Sequence, residues 1–265
     1  MNLTRLIYWC ALSLFFVSCE ELIEVDLNAA NPKIVIEAEI ANIENRQEII
    51  ISRTVNFEDN KPFEPIVDAE VTLSNNHGKN YHFSHDKNGV YTAPNFLPLN
   101  TSDTYFLNVQ VDGQQYSSTS KMAEYVEIDS LGVTKEEIFG DAYYFINMKF
   151  SDPAGVANYY KYSISINGNP FEFSGTYRDK FSDGKEVTQQ IGGRNLDDFK
   201  LGDEVIVRRS SVSKETYRYW SEVQAANPGN AAPGNPTSNI SNGALGYFSL
   251  SNAKDYSVLI KDTLE

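Results

Sequence analysis

The stretch Ile34-Val35-Ile36-Glu37-Ala38-Glu39-Ile40 decides the fold class. Ile34, Ile36, Ala38 and Ile40 alternate with Val35, Glu37 and Glu39, the two-residue period of a strand with one face buried. The same period recurs downstream. Ala69, Val71 and Leu73 alternate with Glu70 and Thr72, and Leu107, Val109 and Val111 alternate with Asn108 and Gln110. Turn chemistry falls between these runs: Asn76-His77-Gly78, Asp86-Lys87-Asn88-Gly89, and Asp112-Gly113, a pair suited to a tight primed hairpin. Short strands with turns every ~8 to 12 residues predict an all-β sandwich, placed here at 33–120.

A second β-sandwich is expected at 125–265. Tyr144, Ile146, Met148 and Phe150 form one alternating face; after the turn Ser151-Asp152-Pro153-Ala154-Gly155, so do Tyr160, Tyr162, Ile164 and Ile166. These two runs are expected to pair as neighbours. Further strands are expected at Phe171–Phe173, Val187–Ile191, Glu204–Arg209, Leu245–Leu250 and Tyr256–Lys261. One helix, at about 213–226, interrupts the unit. Ser213 is a good N-cap, Glu215 complements the dipole in the first turn, and Asn227-Pro228-Gly229 stops the helix. Tyr217, Trp220 and Val223 fall on adjoining turns, so Trp220 and Tyr217 are expected to anchor the helix on the second module. The Asn/Pro/Gly-rich segment 227–243 cannot bury a face of its own and reads as a long loop, a candidate contact surface or a plain connection.

The first residues fix an address. Arg5 precedes an apolar run from Leu6 to Val17, which matches a secretory leader and falls short of the ~20 residues a membrane span requires. Residues 1–18 read as a lipoprotein signal peptide cleaved between Ser18 and Cys19, with Phe16 where a leucine is usual. Cys19 then carries lipid and 19–32 forms a tether that opens with Glu20-Glu21. Removal of the leader takes away Cys10, the other of the 2 cysteines, so the mature chain has no thiol left for a disulfide. It also takes away Arg5 and no acid, so Lys+Arg falls from 22 to 21 against 36 Asp+Glu and the net charge moves from -14 to -15. Nucleic acid is an unsuitable partner for such a chain, because phosphate neutralisation needs clustered Lys and Arg, and the one tight basic pair is Arg208-Arg209 inside an expected strand. Attachment to anionic lipid then rests on acyl chains.

No catalytic residue, cofactor or metal ligand is assigned from the sequence. His77, His82 and His85 lie in one hairpin region, but no cysteine and no zinc-ligand spacing accompanies them. Ser84-His85-Asp86 carries the letters of a catalytic triad, yet adjacent residues cannot wrap around one another in those roles. Asp86, Asn88 and Gly89 match the start of a calcium loop whose later acid would fall near Leu97, so they read as a hairpin turn. The pairs Asp197-Asp198 and Asp203-Glu204 read first as solvated surface; they are also the acids that an alternative function, a cell-envelope hydrolase or glycan-binding protein, would use.

Two resemblances add to this reading. The stretch VDAEVTLSNNHGKNYHFSHDKNGVYTAP followed by TYFLNVQVDGQQYSSTS, Val67 to Ser120, resembles the carboxypeptidase-regulatory-like (transthyretin-like) sandwich. That likeness implies a turn at Gly89 and inward Tyr91 and Tyr105, and no activity. The order of CEELIEVDLNAANPKIVIEAEI, DPAGVANYYKYSISING, LGDEVIVRRSSVSKETYRYWSEVQ and SNISNGALGYFSL resembles a Bacteroidota lipoprotein family labelled domain of unknown function four-two-four-nine. The resemblance implies a non-enzymatic, lipid-anchored outer-membrane protein, an accessory to a TonB-dependent β-barrel receptor that binds the receptor or captures ligand for it; it carries no catalytic residues. Glu20 and Glu21 resemble a surface-export signal, which implies an outward-facing position, with a periplasm-facing one as the alternative.

Overall fold

The computed structural model describes residues 32–44, 47–55, 63–226 and 234–261. The expectations on Ser18, Cys19, Glu20 and Glu21, and on residues 227–233 of the long loop, lie outside the described residues.

The described residues are all-β with one helix, arranged as two sandwich-like modules. The first module holds β1 (Ile34–Ala41), β2 (Gln47–Arg53), β3 (Glu64–Pro65), β4 (Glu70–Asn75), β5 (Asn80–Lys87), β6 (Val90–Thr92), β7 (Thr104–Val111) and β8 (Gln114–Lys121). The second holds β9 (Ser130–Ile138), β10 (Asp141–Ser151), β11 (Tyr159–Ile166), β12 (Glu172–Arg178), β13 (Glu186–Ile191), β14 (Glu204–Ser211) and the helix α1 (Lys214–Ala225). The last strand, β15 (Leu245–Leu259), belongs to both. One 12-stranded sheet runs β12-β11-β14-β15-β1-β2-β6-β5-β4-β7-β8 with β3 off this path beside β2, and a 3-stranded sheet runs β13-β10-β9.

The alternation read in β1 translates directly into burial. Ile36, Ala38 and Ile40 are wholly inaccessible and join Leu73, Tyr91, Tyr105, Leu107 and Val109 in the first core. Tyr91 directs its hydroxyl to the Ile66 carbonyl, and the Tyr105 hydroxyl accepts from Asn100 N–H, so each ring is buried with its polar tip satisfied. Asp112 and Gly113 close the β7–β8 hairpin with φ of 49° and 74°, the primed turn that right-twisted strands favour. Gly89 turns the chain from β5 to β6 with φ 76°.

Three expectations are corrected. First, β10 and β11 do not pair: β10 lies between β9 and β13, and β11 between β12 and β14. Both strands are apolar on one face, and the connection 152–158 gives its main-chain N–H groups to a second loop instead of to a hairpin: Asp152 to the Lys185 carbonyl, Gly155 and Asn158 to the Asp183 and Asp179 carboxylates. The two faces therefore meet across the core, where Phe150 and Tyr160 make an edge contact at 5.4 Å. Second, the expected strands Leu245–Leu250 and Tyr256–Lys261 are one element. Residues Leu245 to Ser251 pair in parallel with β1, and Asn252 to Leu259 pair antiparallel with β14. The switch falls where β1 ends: the Asn42 side chain accepts from Ala253 N–H at 2.7 Å and donates to Asn252 Oδ1 at 2.7 Å, continuing the ladder by one rung. Third, the segment expected at 125–265 does not stay in one module. Ile240, Ala244, Phe248 and Leu250 pack into the first core, and Ser241 accepts from Ser117 N–H while Ser118 donates to the Asn239 carbonyl, stitching the end of the long loop to β8.

Parallel pairing of β1 and β15 demands close approach at Gly246. Its φ is 91°, and a Cβ there would collide with the Ile36 carbonyl, so only glycine fits.

Candidate functional site

Helix α1 forms where the sequence signals placed it. Ser213 Oγ accepts from Thr216 N–H at 3.2 Å and caps the first turn, beside Glu215, and the helix ends at Ala226. It lies on β11, β12 and β15. Thr216, fully buried, reaches the Phe248 carbonyl, while Tyr217 packs on Tyr159 at 5.3 Å. Trp220 sits over Phe173 at 4.7 Å and edge-on to Tyr247 at 5.4 Å. Beneath it lies a polar layer. Lys161 Nζ stands 4.2 Å over the indole and 3.2 Å from Glu39, which also accepts from the Tyr247 hydroxyl. Burial, with the neighbouring Glu39 and Glu37 charges, pushes the Tyr247 hydroxyl well above the ordinary range; burial and then Glu37 push Tyr219 up to about 12. Burial, reinforced by Glu39, also raises the Glu37 carboxyl.

Trp220, Phe173, Val223 and Gln224 line one side of a hollow of about 610 Å³ that extends to Glu172 and Arg194. A second hollow of about 560 Å³ shares Glu172 and Arg194 and continues past Asn167, Asp198 and Asp203. Together they make a groove that is aromatic at the helix and polar at the other end. The Trp220 indole N–H is buried without a hydrogen-bond partner among the described residues. Phe173 belonged to an expected strand, but its place in one hollow with Trp220, Gln224 and Arg194 depends on tertiary pairing that strand periodicity does not report.

The acids at the polar end are engaged. Asp198 accepts from Asn195 N–H at 2.8 Å and from the Asn195 amide at 3.1 Å. Burial raises its carboxyl, but these bonds and the Arg194 N–H outweigh burial and hold it below the ordinary range. Asp203 closes on Lys200 N–H at 2.7 Å and accepts from Asn167 at 2.8 Å, and Asp197 faces Lys200 at 3.4 Å.

The other residues singled out by sequence are dispersed. His77 lies 3.1 Å from Asp103, His85 accepts from Gly89 N–H, and His82 is exposed on β5; among the described residues the three do not converge on a metal-binding group. Arg208 forms a two-bond pair with Asp255 at 2.7 Å, and Arg209, on the opposite face of β14, is buried among Tyr160, Phe150 and Tyr125. Among the described residues no helix is long and apolar enough to cross a membrane.

This is an all-β protein of two sandwich-like modules with a helix-walled groove. The chain belongs to the family described as domain of unknown function (DUF4249), whose model matches residues 20–257. No curated protein matches it. Among solved structures, a two fibronectin type-III domain segment from chicken tenascin matches at 10% identity over 88% of this chain and 100% of that one, with a TM-score of 0.24.

Proposed function

We propose that the protein is a non-enzymatic lipoprotein of the outer membrane, held by acyl chains on Cys19, that serves a TonB-dependent β-barrel receptor by binding it or by capturing ligand for it. The observation that carries this reading is the groove beside α1. Its aromatic wall of Trp220 and Phe173 is open, while Asp198 and Asp203 already serve as hydrogen-bond acceptors within the fold. An aromatic wall facing amide and guanidinium groups suits a flat polar ligand such as a sugar ring, held by stacking and hydrogen bonds without bond breaking. The leader and Glu20-Glu21 support an outward-facing anchor, and the Val67 to Ser120 stretch supports a carboxypeptidase-regulatory-like first module.

Purification from native membranes in mild detergent is expected to bring down a β-barrel partner. Recovery of the lipoprotein alone, under conditions that preserve known receptor complexes, overturns the reading. Protease treatment of whole cells decides orientation: cleavage supports the outer face, and full protection places the protein in the periplasm. Trp220→Ala tests the groove: loss of ligand capture with barrel association retained separates its two roles.

A further inference from the structure

The loops joining β10 to β11 and β12 to β13 lie against one another, tied by Asp152 N–H to the Lys185 carbonyl at 2.9 Å and Asp179 N–H to the Asn158 carbonyl at 3.4 Å. Asp152, Asp179 and Asp183 each bring one oxygen to within 4.8 Å of the others. Each spends one oxygen on a main-chain donor of the facing loop. Gly184 N–H donates to Asp152 Oδ2, Asn158 N–H to Asp179 Oδ2, and Gly155 N–H to Asp183 Oδ1. The remaining oxygens have no hydrogen-bonding partner among the described residues.

One of them is buried as well, and so is an amide oxygen of the same loop. Asp152 is 5% exposed and its Oδ1 is an orphaned acceptor; Asn158, 8% exposed and bonded to Asp179 through both main-chain groups, has an orphaned amide oxygen. Orphaned buried acceptors beside gathered carboxylates are costly unless a cation meets them. The nearby lysines do not: Lys185 Nζ donates to the Phe181 carbonyl and Lys180 lies over the Phe181 ring.

The geometry points to a calcium site built by Asp152, Asp179, Asp183 and the Asn158 amide oxygen, with water completing the shell. Hard carboxylate and amide oxygens without sulfur or imidazole suit a hard divalent cation. Ca²⁺ accepts about six to eight oxygens in flexible geometry, whereas Mg²⁺ demands near-ideal octahedral geometry and keeps several waters. Coordination would lock 152–158 against 179–185 at the one place where the β10 and β11 faces cross between sheets.

Thermal melting of the purified full chain in EDTA, CaCl₂ or MgCl₂, with terbium luminescence sensitised by its tyrosines, tests the site. Saturating calcium is expected to raise the melting midpoint by about 5 °C or more and magnesium by much less. Asp183→Asn keeps an acceptor for Gly155 and removes one charge; it is expected to fold normally in EDTA and to lose about tenfold or more in calcium affinity. The assignment is overturned by absence of both a calcium shift and terbium luminescence at about 10 mM metal, above the weakest extracellular sites. An equal response to magnesium, or an undiminished response in Asp183→Asn, overturns it too.

Discussion

Two loop regions of the second module use aspartates in opposite ways. Between residues 195 and 203, Asp198 and Asp203 each bond the N–H group three residues earlier and then give the second oxygen to a nearby asparagine. Between 152–158 and 179–185, Asp152, Asp179 and Asp183 reach across to the facing loop and spend one oxygen each. Asp198 is satisfied wholly inside its own turn, and its carboxyl is held below the ordinary range. Acids satisfied across two loops are drawn together with oxygens to spare, and Asp152 is displaced the other way.

Glycine substitutions break each arrangement most severely. A Cβ at Gly193 would collide with Asp198 and lie 2.9 Å from its Cγ. Gly193→Ala is therefore expected to cost about 2–3 kcal/mol in urea unfolding and to leave the calcium response intact. An unchanged midpoint would show that the 195–203 turn moves freely. Gly184 has φ 69° and would place a Cβ 3.0 Å from that of Ala154. Gly184→Ala is expected to cost about 1–2 kcal/mol and, unlike Gly193→Ala, to weaken the calcium response; a preserved response would detach loop geometry from the site.

The smallest effect sharpens the contrast by its sign. Because the folded Asp152 carboxyl lies above its unfolded value, its stabilising contribution is present at acid pH and is lost as pH rises through the folded value. Asp152→Asn in EDTA is thus expected to melt higher than the parent near neutrality, by about 1 kcal/mol, with the gap closing below the ordinary aspartate value of 3.8. Asp198 lies below its unfolded value, so its contribution is present above that value and lost as pH falls through the folded one. Asp198→Asn is expected to melt lower at neutrality, the deficit vanishing in acid. Two melting-versus-pH series with the same sign would dissolve the distinction.

What the sequence reveals follows from the range of its signals. The period of two exposes β1, β4, β7, β10 and β11, and the Ser213 cap with Glu215 exposes α1, because these depend on residues close in the chain. The unity of β15 is hidden: Ser251, Asn252, Lys254 and Asp255 look like a polar break, and they are strand residues because Asn42 and β14 supply partners from far away. Polarity of a segment reports its own preference, whereas a ladder is made by what lies beside it. The groove was half legible, since Trp220 was placed by helical spacing but Arg194 and Glu172 only by folding. Asp152 read as a turn residue, with nothing to join it to Asp179 or Asp183 on another loop.

The fork in β15 also governs the order of events during folding. Val35 pairs with Leu245, so the first module cannot gain its central neighbour until almost the whole chain has been made. Until then β1 presents a bare edge with Ile36, Ala38 and Ile40 uncovered on one side, the kind of edge that recruits foreign strands. Such long-range pairing makes folding slow and late. A chain cut before residue 245 would therefore lose more than its last strand: both cores would lack the element they share, and aggregation rather than partial folding is the expected fate of the fragment.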